Sequence, residues 1–260
     1  MGRYCFCVLL LLVEAAWADL PADPLGSPLW EYNIERYLGE GARVVVDDRV
    51  GLSVPDFAED STQVPLAVNL AEFPHQVAKV ITWVDMNPVP LLFDAGSGGA
   101  GLKLVSLNFR IQQASSIRAA VLDEHGVWHI DSGFVDAAGG GCTAPREVVS
   151  SSEWENEFGT LKTGLFSSDG TTRIKANLLH PMDSGMVGNV PAFFVGDVEV
   201  RQEGSEAVLL AMTLAESASE NPMFVFEFAN GEHTETKALT IWMEDNNGYR
   251  FEGEIGGAKP

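Results

Sequence analysis

Short segments in which apolar and polar residues alternate recur along most of this chain, and they constrain its fold more than any other feature. In residues 223–228, Phe224, Phe226 and Phe228 occupy every second position, and residues 103–112 alternate in the same way. Alternation of this kind places one set of side chains on one face of a β-strand. Glycine, proline and aspartate separate the segments at intervals typical of sandwiches. The pattern predicts an all-β fold of immunoglobulin-like antiparallel β-sandwiches.

The predicted strands fall into two groups. The first group comprises residues 44–46, 50–54, 64–70, 77–84, 103–112, 117–123 and 127–130, and the second comprises 172–179, 193–195, 198–200, 208–214, 223–228, 237–244 and 249–255. Asn247-Gly248 lies between the last two segments and is a strong hairpin signal. A helix is predicted before the first group, at residues 28–40, because apolar residues such as Trp30 and Ile34 recur there at helical spacing. The chain should therefore contain two sandwiches in series behind a short N-terminal helix.

This organisation divides the chain into six parts. They are a signal peptide at residues 1–18, a lead-in and helix at 19–42, a first sandwich at 43–136, a glycine-rich cysteine arm at 137–145, a connector at 146–168 and a second sandwich at 169–260. The connector is polar and carries only a weak helical spacing of apolar residues, so we expect it to pack partly onto a sandwich.

The first residues have the features of a secretory signal peptide. Arg3 provides the positive charge, an apolar run follows it, and Ala16-Trp17-Ala18 fits the small-x-small cleavage pattern. A membrane anchor is the alternative, but the apolar run is too short to span a bilayer and Glu14 follows it. We therefore expect cleavage after Ala18 and export of the mature protein. The formal net charge of −21 argues against nucleic acid and anionic membrane surfaces as partners.

One cysteine remains after this processing. Of the three cysteines in the sequence, two lie within the predicted signal peptide, and the third is Cys142 in Gly139-Gly140-Gly141-Cys142. The stretch can be interpreted as a glycine linker that happens to contain a cysteine, or as a thiol on a movable arm. A lone thiol in an exported protein favours the second interpretation. Nothing in the neighbouring sequence would strongly lower the pKa of the Cys142 thiol, so we expect a value near the unperturbed pKa of about 8.5.

Catalytic and metal-binding alternatives are less well supported by the pattern. His125 or His129 could in principle activate Cys142, but catalysis needs a nucleophile that is held still, and three glycines oppose this. The i,i+4 spacing of the two histidines faces one side only on a helix, whereas this segment is predicted to be a strand. His180 and Met182 could bind a soft metal or could shape the end of a strand. The prediction is a non-enzymatic protein with no catalytic residue, no metal and no cofactor.

The two halves of the chain resemble the two subunits of the SoxYZ sulfur carrier. The first half is similar to SoxY in residues 52–60, 64–68, 87–90, 92–93, 105–111 and 139–142. The second half is similar to SoxZ in His180-Pro181-Met182-Asp183-Ser184-Gly185 and in residues 221–226 and 241–245. The resemblance covers roughly residues 43–260, and it is greatest to fused SoxYZ-like carriers associated with quinoprotein dehydrogenases.

The resemblance implies a periplasmic carrier for thiosulfate oxidation or a similar pathway, which holds a small sulfur-containing intermediate covalently. The site residues it implies are Cys142 for cargo attachment, Gly139, Gly140 and Gly141 for the flexible arm, and His180, Met182 and Gly185 for the SoxZ-like motif. The implied partners are periplasmic oxidoreductases or hydrolases of a Sox-like or quinoprotein dehydrogenase pathway. The alternative is a structural or interaction module of such a dehydrogenase system without covalent chemistry.

The sequence departs from SoxY in one respect. In SoxY the cysteine lies almost at the free C-terminus, whereas here Cys142 is followed by a whole second domain. We therefore expect the arm to be a loop anchored at both ends, which limits its reach into a partner.

Overall fold

The computed structural model of the chain describes residues 20–99, 101–145, 154–168, 170–202, 208–231 and 238–256. The predicted signal peptide, its cleavage site after Ala18 and the first part of the predicted connector lie outside these residues. Within the described ranges, none of the helices has the length and apolar character needed to cross a membrane.

Strands dominate both halves. In the first half, helix α1 (Trp30–Leu38) precedes strands β1 (Val44–Val46), β2 (Leu52–Ser53), β3 (Phe57–Ala58), β4 (Val64–Asn69), β5 (Val77–Val84), β6 (Leu91–Ser97), β7 (Leu102–Phe109), β8 (Ser115–Asp123) and β9 (Trp128–Ala137). In the second half, a short helix α2 (Trp154–Glu157) precedes β10 (Leu161–Ser168), β11 (Thr171–Leu178), β12 (Val195–Gln202), β13 (Val208–Leu214), β14 (Met223–Ala229), β15 (Leu239–Asp245) and β16 (Arg250–Ile255). Short 3₁₀ helices lie at Asp48–Val50 and Gly141–Thr143.

The strands form two sheets around one core. The larger sheet has the order β1-β9-β8-β5-β6-β13-β12-β15-β16, with β3 also pairing with β9, and the smaller has the order β10-β11-β14-β7-β4-β2. One continuous apolar cluster includes Phe93 and Met243 of the larger sheet and Phe109 and Phe226 of the smaller sheet. The prediction of an all-β, immunoglobulin-like fold in two domains is confirmed.

The two halves are joined edge to edge through both sheets. Strand β6 pairs with β13 in the larger sheet, and β7 pairs with β14 in the smaller sheet, both antiparallel. Pairing at these edges satisfies backbone groups that two separate sandwiches would leave exposed. The sandwiches predicted in series therefore share continuous sheets. Among the strands of the described residues, β1 and β3 depart from the antiparallel pattern, because both run parallel to β9.

Two of the longer strands lie where the sequence analysis placed none, as does the two-residue strand β3. Strand β10 falls within the predicted connector, and none of its side chains is buried, so it lacks the alternation of buried residues that identifies a strand. Strand β6 lies inside the larger sheet between β5 and β13, but Asp94 and Gly96 interrupt its apolar residues. Both strands are fixed by their partners rather than by their own sequence pattern.

Helix α1 covers the outer face of the larger sheet. Trp30 and Ile34 are buried against Ile81, Trp83 and Trp128 in a second apolar cluster. The helix is shorter than the predicted residues 28–40, but its apolar stripe is the packing surface that the periodicity indicated.

Candidate functional site

The glycine-rich arm forms a defined turn after the last strand of the first half. Strand β9 ends at Ala137, and Gly139 and Gly140 follow with φ angles of 93° and 82°. Residues with side chains rarely adopt this left-handed region. The chain then enters the one-turn 3₁₀ helix that contains Cys142. The glycines thus turn the chain back toward the first sandwich.

Backbone hydrogen bonds hold the turn against the segment that follows β7. The Gly140 N–H donates to the Gln112 carbonyl at 2.9 Å, and the Gly141 N–H donates to the Ile111 carbonyl at 3.0 Å. Asn87 fixes this segment, because its side-chain amide donates to the Arg110 carbonyl at 2.7 Å and its Oδ1 accepts from the Gln112 N–H at 2.9 Å. The arm is therefore docked on a surface that Asn87 holds in place.

Close backbone contact explains why two of the glycines are needed for docking. A Cβ atom on Gly141 would lie 1.9 Å from the Ser61 carbonyl oxygen and 2.6 Å from that of Ile111. A Cβ atom on Gly139 would lie 2.7 Å from the Gln112 carbonyl oxygen, whereas one on Gly140 would meet nothing within 4 Å. A side chain at Gly141 or Gly139 would therefore push the arm away from the first sandwich.

The docked arm buries the thiol completely. Cys142 is 0% exposed and is a free cysteine, with Sγ 3.6 Å from the Arg110 carbonyl oxygen. Burial raises the pKa of the Cys142 thiol to about 11, although the positive charge of Arg110 acts in the opposite direction. The expected exposed thiol with an ordinary pKa is therefore not the arrangement in this structure, because the glycines allow close packing as well as mobility.

The second half of the chain holds the other side of the cysteine. The Ser184 hydroxyl donates to the Cys142 carbonyl oxygen at 2.8 Å. Ser184 belongs to the motif His180–Gly185, and its Oγ also accepts from the Met186 N–H at 3.3 Å. Gly185 has a φ of 74°, and a Cβ atom there would lie 3.0 Å from Ala192. The cysteine arm of the first half and the motif of the second half thus meet at one site.

His180 is a buried neutral side chain that shapes this motif. Its Nδ1 accepts from the Met182 N–H at 3.1 Å, and its Nε2 lies 3.4 Å from Asp245 Oδ2. Burial lowers the pKa of His180, against the opposing effect of the Asp245 carboxylate. A neutral ring with its proton on Nε2 fits both contacts. Phe193 packs against the ring, with 4.6 Å between the ring centroids.

Met182 is held in the same loop. It is fully buried with a φ of 48°, and its Sδ accepts from the Val195 N–H at 3.3 Å. The possible metal-ligating atoms of His180 and Met182 thus all have protein partners. This arrangement fits the structural interpretation of the two residues rather than a soft-metal site.

Family comparisons match both halves of the chain. The model described as "Sulfur oxidation protein SoxY" matches residues 34–142, and the model described as "Sulphur oxidation protein SoxZ" matches residues 165–256. Together they cover more than half of the chain, in this order. The chain belongs to the SoxYZ family of sulfur carriers. It joins a SoxY domain and a SoxZ domain in one polypeptide and is a carrier protein of sulfur oxidation.

A solved structure is also similar to part of the chain. It is described as "Structure of the sulfur carrier protein SoxY from Chlorobium limicola f thiosulfatophilum", with 16% sequence identity and a TM-score of 0.37. The match covers 42% of this chain and 96% of that protein. No curated protein matches the sequence.

The SoxY match ends at Cys142, and the docking contacts of this residue come from both domains. On the SoxY side, the sequence analysis included Asn87 in the resemblance and Arg110 in the alternating segment 103–112, but it gave neither residue a role. Arg110 is buried, with Nη1 3.5 Å from the Ala144 carbonyl oxygen. A basic residue directly after a strongly alternating strand is the signal that could have drawn attention to this surface.

The two histidines considered as activators of the thiol are engaged elsewhere. His125 lies on the turn between β8 and β9, and His129 lies in β9. The His129 ring has Asp47 at 2.8 Å from Nδ1 and Asp123 at 3.2 Å from Nε2. Within the described ranges, neither histidine hydrogen-bonds to Cys142.

Proposed function

We propose that the chain carries a small sulfur-containing intermediate as a covalent conjugate on Cys142 and presents it to partner enzymes of sulfur oxidation. The observation that carries this proposal is the position of Cys142. The thiol lies where the SoxY domain ends, and Ser184 of the SoxZ motif holds its backbone. A carrier needs one nucleophile that partners bound to both domains can reach, and Cys142 meets this need once the arm is released from the junction.

Loading the carrier requires an oxidant. When the Cys142 sulfur forms an S–S bond with the sulfane sulfur of an anion such as thiosulfate, the thiol loses its proton and the pair loses two electrons. A partner oxidoreductase must accept both electrons, because the thiol and the anion are each at the reduced level. Hydrolysis of the conjugate by a second partner then releases the oxidised part without further change in electron count.

The docked arm is the resting state in this scheme. The thiolate is the reactive form of cysteine, and a pKa of about 11 leaves little thiolate near neutral pH. Loading therefore begins with release of the arm. The hydrogen bonds of Gly140, Gly141 and Ser184 each stabilise docking by about 0.5–1.5 kcal/mol, so a partner that contributes a few kcal/mol of binding free energy can open the arm.

The reach of the released arm is limited. The segment between Ala137 at the end of β9 and Cys142 can extend by at most about 17 Å. The chain on the other side of Cys142 leads into α2 and β10 of the second half. The partner site must therefore be shallow, or the partner must enclose the loop rather than receive a free tail.

A second candidate function is a non-covalent interaction module. The complete burial of Cys142 favours it, because a thiol with no exposed surface needs no cargo to explain its presence. In this case the cysteine would only pack the junction between the two domains. For either function, we propose that the protein acts in the periplasm. The association with quinoprotein dehydrogenases stays a prediction from the sequence.

Replacement of the thiol separates these functions. In the native host we expect Cys142→Ser to abolish oxidation of the sulfur substrate, while the protein level and the free energy of unfolding stay close to the wild type. Ser53→Ala, at an exposed position away from the arm, serves as the control and should retain activity. Full activity of Cys142→Ser would exclude the covalent carrier and favour the interaction module.

A further inference from the structure

Three side chains gather where β5 begins and β8 ends, apart from the cysteine site. His75 lies just before β5, and Glu124 and His125 lie on the turn after β8. The antiparallel pairing of the two strands begins with Val77 opposite Asp123. This register brings the start of β5 beside the β8–β9 turn, so residues far apart in the sequence become neighbours.

The distances among the three side chains suit a single metal ion. Glu124 Oε1 lies 3.9 Å from His75 Nδ1 and 3.5 Å from His125 Nε2, and the ligand atoms of all three residues lie within 4.8 Å of one another. Ligands bound to one ion at roughly 2.0–2.2 Å are separated by about 3–4 Å. Small side-chain rotations would therefore place all three atoms around one ion.

The carboxylate of Glu124 is already oriented for this arrangement. Its Oε2 accepts from the Gln76 backbone N–H at 2.8 Å, so Oε1 is the oxygen turned toward the two imidazoles. The turn is fixed as well, because the His125 N–H donates to Asp123 Oδ1 at 2.9 Å. Hydrogen bonds that orient a metal ligand in this way are typical of protein metal sites.

The cluster is open to solvent, unlike the neighbouring His129. The side chains of His75, Glu124 and His125 are 32%, 37% and 67% exposed. His75 and Glu124 border a cleft of about 540 Å³, which Phe73 and Lys103 also line. His129 also lies close to His75, but both of its ring nitrogens contact carboxylates. Because both of its ring nitrogens are engaged, His129 is not available to bind a metal ion at this cluster.

We propose that His75 Nδ1, Glu124 Oε1 and His125 Nε2 form a binding site for one divalent transition-metal ion of the zinc type, with its remaining positions open to water. Two imidazoles and one carboxylate suit Zn²⁺ and its first-row neighbours, whereas Ca²⁺ and Mg²⁺ prefer oxygen ligands alone. The sequence analysis predicted no metal because it considered His125 only with His129. The third ligand, His75, comes from a distant part of the chain.

Zinc titration of the full chain, purified without a polyhistidine tag and stripped with a chelator, tests this site. We expect the wild type to retain one Zn²⁺ per chain after dialysis. His75→Ala, Glu124→Gln and His125→Ala should each weaken zinc binding by tenfold or more. Glu72→Gln, at an exposed carboxylate near the cluster but not part of it, should bind zinc as the wild type does.

A second measurement identifies the ligands independently of affinity. Co²⁺ bound at the same site should show visible d–d absorption, and this absorption should disappear in a His75→Ala/His125→Ala double variant. Thermal unfolding in chelator checks that the variants fold, and added Zn²⁺ should raise the Tm of the wild type but not of the double variant. Equal zinc binding by the wild type and the double variant, or no zinc retained by the wild type, would overturn the proposal.

Discussion

At the scale of single residues, the Cys142 thiol is controlled by burial rather than by a neighbouring acid or base. Its sulfur contacts the Arg110 carbonyl oxygen, and burial raises its pKa to about 11. A thiol in this state resists alkylation and oxidation because the thiolate is the reactive form. Control of its reactivity then rests on whether the arm is docked.

Two adjacent glycines allow a matched test of docking. Alanine at Gly141 would place its Cβ 1.9 Å from the Ser61 carbonyl oxygen, whereas alanine at Gly140 would meet no atom within 4 Å. We expect Gly141→Ala to release the arm and increase the rate of Cys142 labelling by a thiol-specific disulfide reagent by tenfold or more. Gly140→Ala strains a φ of 82°, costs about 1 kcal/mol, and should increase the rate less.

Labelling rates measured under pseudo-first-order conditions at pH 7.5 report this difference. Labelling after denaturation in urea should give equal rates for all three proteins, which controls for the reagent. If Gly141→Ala reacted no faster than Gly140→Ala, the close contact of Gly141 with Ser61 would not be what keeps the thiol buried.

The sequence identified the cysteine but not its environment. The lone Cys142 and the three glycines before it are visible in the sequence. Glycine, however, serves both a mobile segment and one packed closely against another backbone. The contacts that distinguish these cases come from Ser61 and Ser184, which are distant in the sequence, so no local pattern could predict the burial.

At the scale of elements, the loop His180–Gly185 connects the core of the SoxZ domain to the arm. The neutral His180 ring is fixed by the Met182 N–H and by Asp245, and Ser184 at the other end of the loop holds Cys142. The motif was recognised from its residue types, but its contact with the arm joins two domains and has no local sequence signal. Its function in this structure is to position Ser184.

Acid should weaken this element through His180. The folded state holds His180 neutral, with its pKa lowered by burial, whereas the unfolded residue has a pKa of about 6.5. The free energy of unfolding is therefore unaffected by protonation of His180 at pH values above the pKa of the unfolded residue. It decreases as the pH falls below that pKa, because the unfolded chain then binds a proton at His180 more readily than the folded chain does. One such group changes the free energy of unfolding by at most about 1.4 kcal/mol per pH unit.

Urea unfolding at pH 7, 6 and 5 in the presence of chelator measures this effect. We expect the free energy of unfolding to fall more steeply with acid in the wild type than in His180→Gln. His125→Gln, which replaces an exposed ring, should keep the wild-type slope. Identical slopes for the wild type and His180→Gln would show that protonation of His180 does not oppose folding.

At the scale of the whole molecule, the two domains share their sheets and core. The pairs β6–β13 and β7–β14 cross from one half to the other, and one apolar cluster includes residues of both. Strong alternation predicted β7 and β14 because each buries one face. The pairing between halves was not predicted, because edge-to-edge contact leaves no pattern in either strand.

A core substitution in one half should therefore destabilise the other. Phe226 in β14 is fully buried, and its replacement by alanine should cost about 3–5 kcal/mol. In hydrogen exchange measured by mass spectrometry, we expect Phe226→Ala to accelerate exchange in β5 and β8 of the SoxY domain as well as in β14. Phe166→Ala, at a side chain that is 49% exposed in β10, should leave β5 and β8 unchanged. Acceleration confined to the SoxZ domain would mean that the domains unfold independently.

Covalent attachment of cargo to Cys142 is the central claim, and intact-mass analysis of the protein isolated from its native host tests it most directly. During growth on a reduced sulfur substrate, we expect part of the wild-type population to carry a sulfur-containing mass increase that maps to Cys142. A reductant should remove the increase, and Cys142→Ser should lack it. Unmodified wild-type protein under these conditions, or the same adduct on Cys142→Ser, would contradict the account.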